Sequence, residues 1–404
     1  MSDTVLKPSS EAELCSFVAE AAGKGTSLEI VGGGTRRGIG RPVAADAVLS
    51  LAELSGITAY NPAELVMSAK AGTPLAEVEA ALDANGQMLT FEPIDHRPLL
   101  ASQGEPTIGG VFAANASGPR RLSAGAARDS LIGVRIVNGA GEAVVSGGRV
   151  MKNVTGLDLV KLMAGSWGTL GVLSEVTFKV LPKPQAAATI AISGLNDAEA
   201  AAAMAAAMAL PVEVSGAAHL PATVAAAFAA GGFGYEPATV LRLEGLSESV
   251  SVRSRKLAGA MAARGEVRTL DADVTAALWS DIRDVKPFAE RPGKPVWRVS
   301  IAPMAGEQLV AALRLKAGVD AFYDWQGGLV WLAMEQDAEA DLVRTYLHAL
   351  GGGHATLIRA DAATRASVDV FEPQPPALAA LSARIKAALD PKGIFNPGRM
   401  VGAS

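Results

Sequence analysis

The chain has 404 residues, a formal net charge of −5, half of its residues apolar and one cysteine, Cys15. That length points to two or three domains, and the mild charge, with no basic cluster interleaved with aromatics, excludes a nucleic-acid groove. The lone cysteine excludes disulfides, a Cys-ligated iron–sulfur cluster and a Cys-rich zinc site within this chain.

The start, MSDTVLKPSSEAE, carries no apolar leader, and no run reaches the ~18 apolar residues that span a bilayer. The chain is therefore expected to be cytoplasmic, or at most peripheral to the inner face of the cell membrane. Ser10 followed by Glu13 has capping-box spacing and predicts a helix that stops at Gly23 or Gly25. The strand SLEIV runs straight into VGGGTRRGIG, Val31 to Gly40. Consecutive glycines after a strand can form an anion nest, with Arg36 and Arg37 adding charge, and a diphosphate is the obvious guest. The rival is the Rossmann fingerprint G-x-G-x-x-G opening a helix. Gly32 and Gly34 fit it, but Arg37 stands at the third position and the following GRPVAADAV is no helix start.

Strands DAVLSL and LVMSAKA follow, and Thr73-Pro74 predicts a helix ending near Asn85-Gly86. Asp95, His96 and Arg97 read as a solvated loop without a role. Thr107 is placed to cap a short helix, IGGVFAAN, whose N-terminus would offer a second anion contact. Small residues at Gly109, Gly110, Ala113, Ala114, Ala116, Ser117 and Gly118 let backbone approach something flat or anionic, or simply another helix. Arg120 and Arg121 follow that turn, and Arg128 and Asp129 precede the hairpin SLIGVRIV-NGAG-EAVV. Lys152, Asn153 and Asp158 read as locks on a turn. GVLSEVTFKVL alternates as a half-buried strand, and LPKPQ reads as a linker.

The middle of the chain reads twice as β-α-β-β-α-β, first from TIAISG to EVRTL and then from VWRVSIA to HATLIRA. Two ferredoxin-like halves are expected, helices on one face of an antiparallel sheet and the other face free to cover a ligand. Trp297 and Val299 share one face of VWRVSIA, and Arg298 and Ser300 the other. Trp325, Trp331 and His354 lie on neighbouring strands. Arg298 and His354 are the candidate grip on a carboxylate, Arg298 by bidentate hydrogen bonds; the alternative is a satisfied sheet arginine beside ordinary core tryptophans. His219 and His348 are isolated and read as structural, and the four histidines give no metal signature.

The motifs GGGT, GTPLAEVEAAL, TIGGVFAANASGPRR, RDSLIGVRIV, KNVTGLDL, GSWGTLGVLSEVTFKVLP and LDPKGIFNPGRM, in this order, resemble the vanillyl-alcohol-oxidase/PCMH-type FAD-binding family and, within it, the FAD-binding subunits of bacterial glycolate oxidases. The resemblance implies an α+β architecture: a two-subdomain FAD-binding domain over residues 1–184, a cap of ferredoxin-like halves over 185–385, and a tail, 386–404, returning to the FAD domain. It implies a diphosphate loop at Gly32, Gly33, Gly34, Thr35 and Arg36, with Gly40 beside it. A second flavin segment falls on Thr107, Gly109, Gly110, Asn115, Ala116, Ser117 and Gly118, and Asp129, Gly171, Val172 and Asn396 fall near the cofactor. Thr35 stands where some relatives carry a flavin-linking histidine, so the FAD is expected to be held without a covalent bond.

Catalytic D-2-hydroxy-acid dehydrogenases of this superfamily carry a motif H-x-G-D-G-N-x-H that this chain lacks. The expected role is therefore a flavin subunit beside a catalytic FAD subunit and an iron–sulfur subunit, oxidising glycolate to glyoxylate. The alternative is a self-sufficient D-lactate dehydrogenase with Arg298 and His354 as substrate anchor and base.

Overall fold

A computed structural model of the chain describes residues 4–148 and 158–402. Its first helix, Glu11–Lys24, starts where Ser10 Oγ accepts from Glu13 N at 3.2 Å and stops at Gly25, whose φ of 70° only glycine adopts freely. The reciprocal arm of the cap comes from Ser9, whose N and Oγ both donate to Glu13 Oε2. Gly23 lies inside this helix on its exposed face, with nothing within 4 Å of where a Cβ would stand. Gly23→Ala is expected to stabilise the protein by about 0.5–1 kcal/mol, read from a thermal melt, because alanine restricts the unfolded chain and fits the helix.

The helix packs on a three-stranded parallel sheet in which Ala47–Ser50 lies between Val5–Leu6 and Leu28–Val31. A second, antiparallel sheet of five strands follows in the order Ile57–Asn61, Val66–Lys70, Val172–Lys179, Leu131–Val137, Ala143–Gly147. The two sheets share one core, and Phe91, Phe112 and Phe178 form a chain of ring contacts through it at 5.6 and 5.4 Å. Thr73 does not cap the helix Leu75–Asp83; its hydroxyl is bonded to Gly56 and Lys70, which locks the turn before it. Of the turn locks, Lys152 and Asn153 lie outside the described residues, and Asp158 caps the helix Leu159–Met163 through Lys161 N at 3.1 Å.

The middle of the chain is one eight-stranded sheet. Its first half has the order Glu266–Leu270, Ala186–Ser193, Ala238–Gly245, Val214–Leu220; its second half mirrors this as Val319–Asp324, Leu329–Met334, Val296–Ser300, His354–Arg359. Both are ferredoxin-like, and they join edge to edge where His219 pairs with Tyr323. Helices Asp197–Met208, Ser247–Met261, Gly306–Arg314 and Ala340–Ala349 cover one face and bury Ile190, Ile192, Trp297 and Val299.

The opposite face is not free, contrary to expectation. A helix the sequence reading passed over, Ala272–Arg283, lies on it: Asp271 Oδ1 caps Val274 N at 2.9 Å, and Trp279 Nε1 donates to Thr189 Oγ1 at 2.9 Å. The rest of that face, including Trp331 and Phe322, merges with the core of the first two sheets. The tail from Ile394 to Arg399 then lies along Leu28–Arg41, pairing Leu28 N with Ile394 O at 2.7 Å and Asn396 N with Leu28 O at 2.9 Å.

Candidate functional site

The strand Leu28–Val31 delivers the chain to Gly32 at the edge of a half-open cleft between the two smaller sheets and the tail. Gly34, at φ 79°, turns the loop. Among the described residues, no protein group accepts from the backbone N–H groups of Gly32, Gly33, Gly34, Thr35 or Arg36. Such a run of unengaged donors is what an anion nest is made of.

The two arginines of this loop differ in their employment. Arg37 donates to Glu29 from both Nε, at 2.9 Å, and Nη2. Arg36 has no carboxylate of its own: its Nε meets His96 Nδ1 at 3.2 Å and its Nη2 the carbonyl of Ile94 at 3.2 Å. Burial pushes its guanidinium down to about 10, with Asp95 pulling the other way, so it stays charged at neutral pH.

The small residues of this region first serve loop-to-loop approach. A Cβ on Gly33 would stand 1.6 Å from Glu105 O, one on Gly32 2.3 Å from Thr107 Oγ1, and one on Gly109 2.5 Å from Ala71 Cβ. The short helix Ile108–Ala113 does not offer a second anion contact as expected. Its first donors are already used, Ile108 N by Thr73 O, Gly109 N by Ala71 O and Gly110 N by Thr107 Oγ1.

Gly32 to Arg36, Thr107, Gly109, Gly110 and Gly171 all line the cleft. Asn115 to Gly118 form a turn beyond it that is bonded internally: Asn115 Oδ1 accepts from Arg128 N, Ala116 N donates to Val111 O, Ser117 Oγ accepts from Ala127 N, and Gly118 N donates to Phe91 O. Asp129 is exposed and caps Ala126 N at 2.9 Å. Val172 is a fully buried strand residue, and Gly40, at φ 87°, packs against Arg399. Asn396 braces the cleft wall, accepting from Ile30 N and donating to Trp167 O, both at 2.8 Å.

The cleft also gathers residues the sequence analysis does not name as site residues, among them Ser166, Trp167 and Arg399. Arg399 lies with its guanidinium 5.7 Å from the Trp167 ring centroid, and burial lowers it to about 10. The signal was present in GSWGTLG and NPGRM, but only the fold brings 167 beside 399.

His96 is a larger departure. It is 5 % exposed and not part of a solvated loop; the backbone carries Asp95 and Arg97 outward as an ion pair while His96 turns in to Arg36. Burial, with Arg36 and Arg298 nearby, holds its imidazole well below the ordinary histidine value, so it is neutral. His354 and Arg298 are diagonal neighbours on one face of adjacent strands, with no hydrogen bond between them. His354 pairs with Ser300, not with Arg298, and is exposed at the start of its edge strand after Gly351–Gly353. Arg298 faces Trp325 instead, its guanidinium 4.9 Å from the ring centroid, with Arg121 4.6 Å from the same ring.

Residues 2–147 match the family model of the FAD binding domain. The chain is 36% identical over 390 residues to the glycolate oxidase subunit GlcE of Escherichia coli (strain K12), covering 95% of each chain. It is 29% identical over 191 residues to the glycolate oxidase subunit GlcD of Bacillus subtilis (strain 168), covering 47% of this chain and 39% of that one. Among solved structures, p-cresol methylhydroxylase with substrate bound superposes with a TM-score of 0.74 at 14% identity, over 98% of this chain and 88% of the other.

Proposed function

Since the chain belongs to the family of glycolate oxidase GlcE subunits, we propose that it is the flavin-binding subunit of a complex that oxidises glycolate to glyoxylate. The observation that carries the flavin reading is the run of five unengaged N–H donors from Gly32 to Arg36 at the edge of the cleft. FAD fits this donor set. The cleft also holds two buried polar atoms with no partner, Ser166 Oγ and Arg399 Nε, which a ribose, diphosphate or ring oxygen would satisfy. The loop would hold the diphosphate, and the charges of Arg36 and Arg399 would offset it. Thr35 offers only a weakly nucleophilic hydroxyl in place of an imidazole, so the cofactor is held without a covalent bond.

Bound FAD supplies the acceptor for the hydride leaving the carbinol carbon of a 2-hydroxy acid. The chain supplies enclosure and charge. It holds one cysteine, so an iron–sulfur cluster would sit on another subunit, beside a catalytic FAD subunit. Among the described residues no helix is long and apolar enough to cross a membrane; we place the complex in the cytoplasm, at the inner face of the cell membrane.

The purified chain should show flavin absorption at about one FAD per chain, and acid precipitation should leave all of it in the supernatant. A chain that stays colourless after incubation with FAD would overturn the reading. Flavin that pellets with the protein would overturn the non-covalent assignment.

A further inference from the structure

Arg298 and Arg121 both approach Trp325, 4.9 and 4.6 Å from its ring centroid, so the two guanidinium carbons lie within about 10 Å of each other. They come from distant parts of the chain, Arg121 from the turn after Gly118 and Arg298 from the cap strand Val296–Ser300. Among the described residues neither side chain has a hydrogen-bond or ion-pair partner. Other arginines at this junction each hold a carboxylate: Arg120 holds Glu244, Arg242 holds Glu92, and Arg283 holds Asp284. Two half-buried guanidiniums that repel each other and lack a counter-ion are costly unless an anion joins them.

The surroundings hold this pair in place. Trp325 Nε1 donates to Gly118 O at 3.1 Å, which ties the ring to the glycine turn, and Trp325 N donates to Asp324 Oδ1 at 2.7 Å. Trp325 and Gln326 hold φ of 50° and 62°, two successive left-handed residues that force the indole out of the strand line. The acids that act on the pair are Asp324, on Arg298, and Asp129, on Arg121, and neither forms an ion pair with them. Burial pushes the Asp324 carboxyl up to about 7, which weakens it as a counter-ion. Arg298 also acts on His96, which is bonded to Arg36 on the wall of the cleft.

We infer that Arg121 and Arg298, held on Trp325, form a binding site for the carboxylate of a small 2-hydroxy acid within this chain. The inference rests on the proposed function for the class of ligand. Guanidiniums suit a carboxylate because each offers paired planar donors, and the Trp325 indole that both approach gives an apolar surface for a short carbon skeleton. Arg298 would be joined by Arg121 in this task, with His354 exposed at the start of the neighbouring strand.

The test is calorimetric titration of the holoprotein with glycolate, with its neutral amide glycolamide, and with inorganic phosphate, in the native chain and in Arg121→Met, Arg298→Met, Arg298→Lys and the double methionine variant. Flavin content is read separately from absorption. Glycolate should bind, glycolamide should bind at least about 10-fold more weakly, each methionine variant should raise the Kd by about 10- to 100-fold, and Arg298→Lys should retain part of the affinity. The double variant should show no glycolate heat while keeping its flavin. Equal affinity for glycolate and the amide, or unchanged affinity in both methionine variants, would overturn the inference. Phosphate bound as tightly as glycolate on the same arginines would overturn the carboxylate assignment. A chain that holds flavin and binds no glycolate sinks this inference and leaves the cofactor reading standing; a chain that binds glycolate without flavin does the reverse.

Discussion

Arg242→Met is expected to lose about 3–5 kcal/mol of stability in a denaturant titration, among the largest single effects in the molecule, because it strands two buried carboxylates. Arg242 is 3 % exposed and holds Glu92 with two bonds of 2.9 Å. Its Nε lies 3.3 Å from Glu244, and its guanidinium 4.6 Å from the Trp279 ring. Glu244 in turn is gripped by Arg120 at 2.6 and 3.1 Å and by Ser215 Oγ at 2.7 Å. Two acids and two arginines therefore close a network between the loops that carry Glu92 and Arg120 and the eight-stranded sheet, which supplies Arg242 and Glu244. The double variant Glu92→Gln, Arg242→Met should recover part of the loss, since it removes one stranded charge; additivity of the two single effects would show that the pair does not interact.

The same network sets the acid limit of the fold. Burial alone would raise both carboxyls, yet Arg242 overrides it and holds Glu92 below the ordinary value, while Arg242 and Arg120 hold Glu244 at about 2 against 4.5. Groups whose folded pKa is depressed contribute stability above the unfolded value and lose it as pH falls through the folded one. The contribution should be intact above about pH 4.5 and vanish towards pH 2. In Arg242→Met the acid midpoint should move upward, and an unmoved midpoint would show that the network carries no linkage.

Much of this architecture is legible in the sequence because it is local. The Ser10 and Glu13 spacing, the period-two strand before LPKPQ and the twofold β-α-β-β-α-β pattern each follow from residues a few positions apart, and fixed periodicities report them directly. The glycine loop was legible too, as strand followed by GGGT. What escaped depends on distance. The helix Ala272–Arg283 has a clear Asp271 cap, but the repeat pattern drew the eye past it. His96 looked solvated among charged neighbours because nothing local says that Arg36 waits 60 residues away. Arg121 was indistinguishable from Arg120 in sequence, yet one is bound by Glu244 and the other faces Trp325. His354 shares a face with Arg298 as a diagonal neighbour, but it is exposed at the start of its edge strand while Arg298 faces Trp325, which strand adjacency alone does not tell.

Gly33→Ala should empty the flavin site while leaving most of the fold standing. The substituted methyl would meet Glu105 O at 1.6 Å, and its next neighbours, Glu105 C and N, at 2.7 and 3.1 Å, are also backbone, so no side chain can swing aside. Gly104 faces the same seam from the other side, where an added Cβ would stand 2.0 Å from Gly33 O. The loop from Gly32 to Arg36 must then lift from the segment beneath it by an ångström or more. Overpacking of this kind costs about 1–3 kcal/mol, but the function lost should exceed the stability, because the unengaged N–H groups proposed to hold the diphosphate keep their places only while the loop keeps its seat. A drop of about 100-fold in FAD affinity is expected, equivalent to about 2.7 kcal/mol at 25 °C, read by flavin retained through gel filtration. Gly23→Ala is the control, a glycine with open space around it and no part in the cleft. If Gly33→Ala retained its flavin as well as Gly23→Ala does, the N–H row could not be what holds the diphosphate, and Arg36, Arg399 and Ser166 would have to hold it alone.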